Sequence, residues 1–190
     1  YGSEALKKKY LPKMASGEMI GAIAMSEPGA GSDLRNLACR ARREGGEWVL
    51  NGSKVFISNA SISNWMVVFA TKDKSLRHGG ISCFVMDTDT PGCKPSKMHG
   101  KLGQRCADTS EIVFEDCRIP KKALVGAEGE GFKIAMRTFD RTRPQIVAVS
   151  IGITQRALDE CRTYALERKA FGQPIANFQA IQFMLADMAI

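Results

Sequence analysis

The chain has two histidines in 190 residues, and neither stands near a cysteine at a zinc-like spacing. The six cysteines, at 39, 83, 93, 106, 117 and 161, form no C-x-x-C pair, so the sequence offers no metal site. Unpatterned cysteines in a chain of this size fit a reducing compartment better than a disulfide framework. No apolar stretch approaches the roughly 18 residues of a membrane-spanning helix, and Lys7–Lys9 are not followed by the apolar run of a secretory signal. No G-x-x-x-x-G-K-[ST] is present, which excludes a P-loop. Gly29-Ala30-Gly31 opens a dinucleotide fingerprint, but Leu34 stands where its third glycine belongs and no βαβ pattern surrounds it. Lys and Arg number 27 against 20 Asp and Glu, a net charge of +7. They form small knots, never a block of about five like charges, and no aromatic-plus-glycine RNA motif accompanies them. A solvated basic surface is the plain reading, a polyanionic small ligand the functional one, and nucleic acid comes third.

What is present is an ordinary globular mixture, 44% hydrophobic and 25% charged. A chain of this size buries about 70% of its unfolded surface and needs no staples. Three zones differ in period. Residues 3–15 have helical composition, broken by Pro12. Residues 18–125 read as short strands and turns, Ala22–Ser26, Trp65–Ala70, Ile81–Met86 and Glu111–Phe114, which suggest an antiparallel barrel or sandwich. A hairpin is expected where Trp48–Leu50 and Lys54–Ser58 flank Asn51-Gly52. From Gly129 the period turns helical. A short helix is expected over Gly131–Asp140. A long one follows over 144–169, with Pro144 in its first turn and Val147, Ile151, Leu158, Cys161 and Ala165 near one face. Gly172 and Pro174 break it, and a third helix covers Phe178–Ile190.

One turn stands out as chemistry. Met25-Ser26-Glu27-Pro28-Gly29-Ala30-Gly31-Ser32-Asp33 leads a strand into a glycine-rich loop with two hydroxyls and exposed backbone N–H groups. Glycine lets the backbone approach a ligand closely because no Cβ intervenes. Taken alone, the segment also fits a plain loop. It is followed in order by Asn51-Gly-Ser-Lys-Val-Phe-Ile-Ser-Asn59, Leu102-Gly-Gln-Arg-Cys-Ala-Asp-Thr109, Val113-Phe-Glu-Asp116 and Gly129-Glu-Gly-Phe132. Phe139-Asp-Arg-Thr-Arg-Pro144, Tyr164-Ala-Leu-Glu-Arg-Lys-Ala-Phe-Gly172 and Phe178-Gln-Ala-Ile-Gln-Phe183 complete the set. Across essentially its whole length the sequence resembles the acyl-CoA dehydrogenase family, in particular its short- and medium-chain members.

The resemblance implies an α+β multi-domain fold. Residues 1–17 would close an N-terminal helical domain. Residues 18–125 would form a middle domain that is an antiparallel β-barrel, and 126–190 would begin a C-terminal four-helix bundle. It implies that FAD oxidises a saturated acyl-CoA to a trans-2-enoyl-CoA and passes electrons to electron-transferring flavoprotein. A homotetramer, a dimer of dimers, is the implied assembly, in a bacterial cytoplasm or alternatively a mitochondrial matrix, with no nucleic-acid or membrane partner.

By motif match, Met25 and Ser26 would meet the flavin ring. Gly31 and Ser32 would bracket the FAD pyrophosphate and the bound thioester. Phe56, Ile57 and Ser58 would lie along the other flavin edge, where the Ser58 hydroxyl could tune hydride acceptance or simply face water. Many relatives have Trp and Thr where Phe56 and Ser58 stand. Asp140 and Arg143 would touch the CoA moiety, or Arg143 would be an ion-pair partner of Asp140 three residues earlier on a helix. Arg168, Phe171 and Gln179 would reach the FAD of a neighbouring subunit, with Arg168 at the pyrophosphate. Position 170 is Ala where relatives often have a hydroxyl. The family's catalytic Glu occupies one of two places; here the slot before Arg143 is Thr142, which is no base, so the Glu is expected beyond residue 190. Two other outcomes remain open: a non-catalytic flavin- or CoA-binding module, and an acyl-CoA oxidase-like protein.

Overall fold

Ser3 opens the first helix by accepting the Leu6 N–H, at 3.3 Å, which satisfies one of the donors a helix start leaves free. This helix, α1 (Glu4–Ala15), runs through Pro12 rather than ending there. Proline removes one hydrogen bond from an interior turn, and tertiary packing compensates. Tyr10 is buried against Trp65 with ring centroids 4.9 Å apart, and its hydroxyl donates to Asp87 at 2.8 Å. The computed structural model describes residues 1–190, and these divide into two compact units, Tyr1–Met136 and Arg137–Ile190.

The first unit holds β1 (Gly21–Ala24), β2 (Arg40–Glu44), β3 (Glu47–Ser58), β4 (Trp65–Thr71), β5 (Ile81–Asp87), β6 (Cys93–Lys97), β7 (Thr109–Pro120) and β8 (Leu124–Val125). They form one eight-stranded sheet in the order β6-β7-β3-β2-β4-β5-β8, with β1 on β4. The expected closed antiparallel barrel is therefore corrected to an open sheet. β6 and β8 end it without pairing each other, and β1 runs parallel to β4. The end strands explain why it stays open: β8 has two residues, and β6 carries Pro95, which cannot donate to a further ladder. Trp48, Leu50, Met66, Val68, Phe84, Ile112, Phe114 and Ile119 form the core, with Trp48 meeting Phe84 edge-on at 5.1 Å.

Asn51-Gly52 is not a hairpin turn. β3 passes straight through it with a register shift against β7 between Leu50 and Gly52. Gly52 has φ +140, and a Cβ there would lie 2.7 Å from the Cys39 Cα, so glycine marks a close crossing rather than a reversal. The reversal lies at Gly45-Gly46, between the antiparallel β2 and β3.

α2 (Gly131–Glu167) is one continuous helix with Pro144 inside it, so the two expected helices are one. Its start belongs to the first unit, where the glycine motif has a packing reason: a Cβ on Gly129 would lie 2.7 Å from the Gly79 carbonyl oxygen, and one on Gly131 2.6 Å from the Ser82 carbonyl carbon. The second unit continues α2, adds the two-residue strands β9 (Lys169–Ala170) and β10 (Gln173–Pro174), and ends in α3 (Gln179–Ala189). Of the apolar face expected on α2, Ala165 is buried and Leu158 half-buried, while Val147, Ile151 and Cys161 are exposed. No helix is long and apolar enough to cross a membrane.

Crowding and backbone conformation can be separated at two glycines. Gly92 has φ +87 and a Cβ there would sit 2.3 Å from the Glu115 carbonyl oxygen, whereas Gly45 has φ +59 and open space. In the full-length protein Gly92→Ala should cost about 3 kcal/mol and Gly45→Ala about 1 kcal/mol, read from denaturant midpoints. Equal losses would show that contact with Glu115 adds nothing.

Candidate functional site

The glycine-rich turn is short and closed. Glu27 and Ala30 exchange both backbone hydrogen bonds at 3.0 Å, which puts Pro28 and Gly29 at the tip. Beyond it Gly31 and Ser32 are exposed, and a Cβ on Gly31 would meet nothing within 4 Å. Asp33 then accepts from Arg35 Nε at 2.9 Å and Asn36 Nδ2 at 2.7 Å. The Arg35 hydrogen bond holds the Asp33 carboxyl below its ordinary value. Met25 is buried and Ser26 half-buried, directly after β1.

This turn lies against the end of β3, because the Ser26 carbonyl accepts the Val55 N–H at 2.9 Å. Beneath them lies an ion pair. Lys54 Nζ donates to Glu27 Oε1 at 2.7 Å, the Met25 carbonyl at 3.1 Å and the Phe69 carbonyl at 2.6 Å. Glu27 also accepts the N–H groups of Ala38 at 2.6 Å and Cys39 at 3.0 Å. The side chains are 0% and 5% exposed. Two buried charges are tolerable when their hydrogen-bonding capacity is filled; here all three ammonium donors have acceptors.

The strand then turns one aromatic outward. A second register shift against β7 falls between Lys54 and Ile57, and Phe56 at this bulge has φ +58. A left-handed conformation is costly for a bulky residue, and Phe56 is nonetheless 66% exposed. Ile57 is buried and Ser58 exposed. The turn after Ser58 is fastened by Asp108, which accepts from Ser61 N at 3.1 Å, Ser61 Oγ at 2.8 Å and Ser110 Oγ at 3.1 Å. The result is a surface with an exposed aromatic ring, the Ser58 hydroxyl, and the open backbone of Gly31 and Ser32 on two interlocked segments.

The remaining expected residues belong to the second unit. Asp140 and Arg143 are both exposed and form an ion pair of 3.9 Å, and the Arg143 guanidinium stands 5.7 Å from the Phe139 ring centre. Arg168 directly follows α2, its N–H donating to the Tyr164 carbonyl at 2.8 Å. Phe171 and Gly172, with φ +51 and +78, make the tight turn between β9 and β10. Phe171 is 96% exposed there, touched edge-on by Phe178 at 6.2 Å. Gln179 begins α3 and is exposed. Thr142, in the alternative slot for a base, directs its hydroxyl to the Phe139 carbonyl at 3.5 Å. Burial pushes the thiols of Cys39 and Cys117 up to about 11 and those of Cys83 and Cys93 up to about 12, so none is a ready nucleophile.

Sequence reasoning passed over Lys54 and Asp108. Lys54 had a signal: alternation along β3 puts it on the inward face with Trp48 and Leu50, where an unpaired lysine would be untenable. Asp108 stands inside the Leu102–Thr109 motif, but nothing in the sequence points to Ser61 and Ser110 as its partners.

Two family models match the chain: the acyl-CoA dehydrogenase middle domain over residues 22–117 and the acyl-CoA dehydrogenase C-terminal domain over residues 129–190. The human mitochondrial short-chain specific acyl-CoA dehydrogenase is 47% identical over 190 residues, which is all of this chain and 46% of that protein. Among solved structures, butyryl-CoA dehydrogenase from Megasphaera elsdenii is 39% identical with a TM-score of 0.92, covering 100% of this chain and 50% of that one. A glutaryl-CoA dehydrogenase from Mycobacterium smegmatis in complex with FADH2 is 35% identical with a TM-score of 0.88, covering 98% of this chain and 47% of that one. The chain belongs to the acyl-CoA dehydrogenase family. It spans about half the length of the relatives it matches.

The Asp108 clamp has a signed pH dependence. Burial raises its carboxyl, but hydrogen bonds from Ser61 and Ser110 and the charge of Lys97 outweigh that, and the net direction is down from 3.8. Its stabilisation is therefore complete above the unfolded value and lost as pH falls through the lower folded one. Asp108→Asn in the full-length protein should cost about 2 kcal/mol at neutral pH. The gap to the parent should close as unfolding is measured below about pH 4. A gap independent of pH would remove the carboxylate from the explanation.

Proposed function

We propose that the full-length protein oxidises a saturated acyl-CoA to a trans-2-enoyl-CoA with FAD and passes the electrons to electron-transferring flavoprotein. The observation that carries this reading is the interlocked pair of segments, Met25–Ser32 and Phe56–Ser58. They offer an exposed ring, a free hydroxyl and open backbone at one surface. These residues fit a flavin. Its ring system is flat and apolar on its faces and polar along its edges, matching Phe56 beside Ser26 and Ser58. Its pyrophosphate needs close backbone approach, for which Gly31 leaves room.

Bound FAD supplies the acceptor for a hydride from the substrate β-carbon. This chain's residues bind and orient. Met25 and Ser26 hold one ring edge with backbone and hydroxyl groups, and Phe56, Ile57 and Ser58 line the other, with the Ser58 hydroxyl placed to polarise it. Gly31 and Ser32 serve pyrophosphate and thioester. Arg143 recognises the CoA moiety as a charge-assisted donor, Asp140 orients it, and positioning of this kind carries most of the catalysis. Arg168, Phe171 and Gln179 complete the cofactor site of a neighbouring subunit. The Phe171 ring supports this reading, because its left-handed turn presents it 96% exposed with Phe178 edge-on beside it. A shared site of this kind requires an oligomer, and the assembly we propose is a homotetramer built as a dimer of dimers. No carboxylate stands at the Thr142 slot, so the α-proton is taken by a Glu outside these residues. In domain terms, residues 1–17 close an N-terminal helical domain, 18–125 make the middle domain and 126–190 begin the C-terminal one.

The test is the visible spectrum of the purified full-length protein before and after anaerobic addition of saturated acyl-CoAs of several chain lengths. A flavin band that bleaches is expected. A band that persists with every acyl-CoA would favour a non-catalytic flavin module, and no band at all would overturn the reading. In the same protein, Arg143→Gln should raise the KM for acyl-CoA on the order of tenfold, with flavin content unchanged. A loss of flavin instead would move Arg143 from substrate to cofactor.

A further inference from the structure

Lys54 touches every segment that meets at the candidate flavin surface. It lies on β3 two residues before Phe56. Its ammonium reaches the Met25 carbonyl at the start of the turn, the Glu27 carboxylate inside the turn, and the Phe69 carbonyl of β4. Through Glu27 it also reaches the Ala38 and Cys39 N–H groups, just before β2. An ordinary core position would hold leucine or methionine here, because replacing a buried ion pair by packed apolar side chains is often neutral or stabilising. The attraction of the two charges therefore does not by itself explain the pair; what distinguishes it is the set of backbone groups it holds. What apolar side chains cannot do is fix the direction of a carbonyl. With three donors aimed at three acceptors on two other segments, the ammonium sets the position of Met25–Glu27 relative to Phe56–Ser58.

We propose that Lys54 and Glu27 are a positioning pair for the cofactor. They hold the two edges of the flavin site at one spacing and make them move as one body. The assignment rests on the flavin reading given above. Neither residue touches the flavin; both act through the Met25 and Ser26 backbone and through the bulge that presents Phe56. The Ser26–Val55 hydrogen bond of 2.9 Å also ties the turn to the strand end, and a single backbone bond constrains their relative orientation less than the three directed bonds of the ammonium do.

The experiment compares three forms of the full-length protein: the parent, Lys54→Met, and the double variant Glu27→Leu with Lys54→Met. Three quantities are measured: the melting temperature of the flavin-free protein, the dissociation constant for FAD, and hydrogen exchange of residues 25–31 and 55–60 in the flavin-free protein. The single variant strands a buried carboxylate and should melt roughly 10 °C lower. The double variant removes both charges but leaves the Ala38 and Cys39 N–H groups and the Met25 and Phe69 carbonyls without these partners, so it should recover part of that loss. Its FAD affinity should nevertheless stay at least about tenfold weaker, and both segments should exchange faster together. A merely structural pair predicts the opposite, that affinity and exchange recover along with the melting temperature, and that result overturns the assignment. A parent that binds flavin while both variants bind it within about twofold also overturns the assignment and leaves the functional reading standing. A parent that binds no flavin overturns both.

Discussion

A charged nitrogen in the middle of an otherwise apolar sheet is the constraint to which the rest of the first unit answers. Once Lys54 points inward, its ammonium must be given acceptors, and water is not there to supply them. That requirement draws the turn after β1 under the end of β3, brings Glu27 inward although its neighbours Pro28 and Gly29 are exposed, and fixes the approach to β2 through two backbone N–H groups. The two glycines have different reasons: Gly52 leaves room for Cys39 at a close crossing, whereas Gly31 stands in open space on the surface that the turn creates. Burial of the apolar core is non-directional, whereas the hydrogen bonds of the ion pair have directions, so the pair constrains the placement of that turn more narrowly.

Much of this could be read in the residues. The strands at Trp65–Ala70 and Ile81–Met86 carry dense apolar side chains, and they appear as β4 and β5 with nearly those limits. The helical zone after Gly129 was equally plain. Failures came where local chemistry has two solutions. Asn51-Gly52 has the form of a hairpin turn, but φ +140 at Gly52 belongs to neither central position of such a turn, and the strand runs on. Pro12 and Pro144 were expected to bound helices, yet each lies inside one. Sheet closure was not legible at all, because it is decided by whether β6 and β8 pair, and two short strands far apart in sequence carry no signal for or against that.

The site was legible to a different degree in each unit. In the first, the motif order placed Ser26, Gly31 and Phe56–Ser58 on segments that do meet, while the lysine beneath them was missed because a lone lysine in a strand looks like surface. In the second, Arg168, just past α2, and Phe171, in the turn between β9 and β10, read as ligand contacts, and the left-handed backbone of that turn explains how Phe171 is displayed. The sequence allows the Asp140–Arg143 pair to be an ion pair or a CoA contact; at 3.9 Å, with both side chains more than 70% exposed, the pair is loose enough for a ligand to part it.

An open sheet carries a hazard that a barrel does not. Its end strands present unpaired backbone groups to any other chain, and long flat edges recruit copies of themselves. Here each edge is blunted. β8 is too short to template a ladder. β6 sets Pro95 between Lys94 and Lys97, so an incoming strand would meet a missing donor flanked by two positive charges. Chains at high concentration, before any cofactor has arrived, are therefore kept from stacking edge to edge, and a substitution of Pro95 by a β-branched residue would strengthen the strand while exposing the protein to fibrous aggregation.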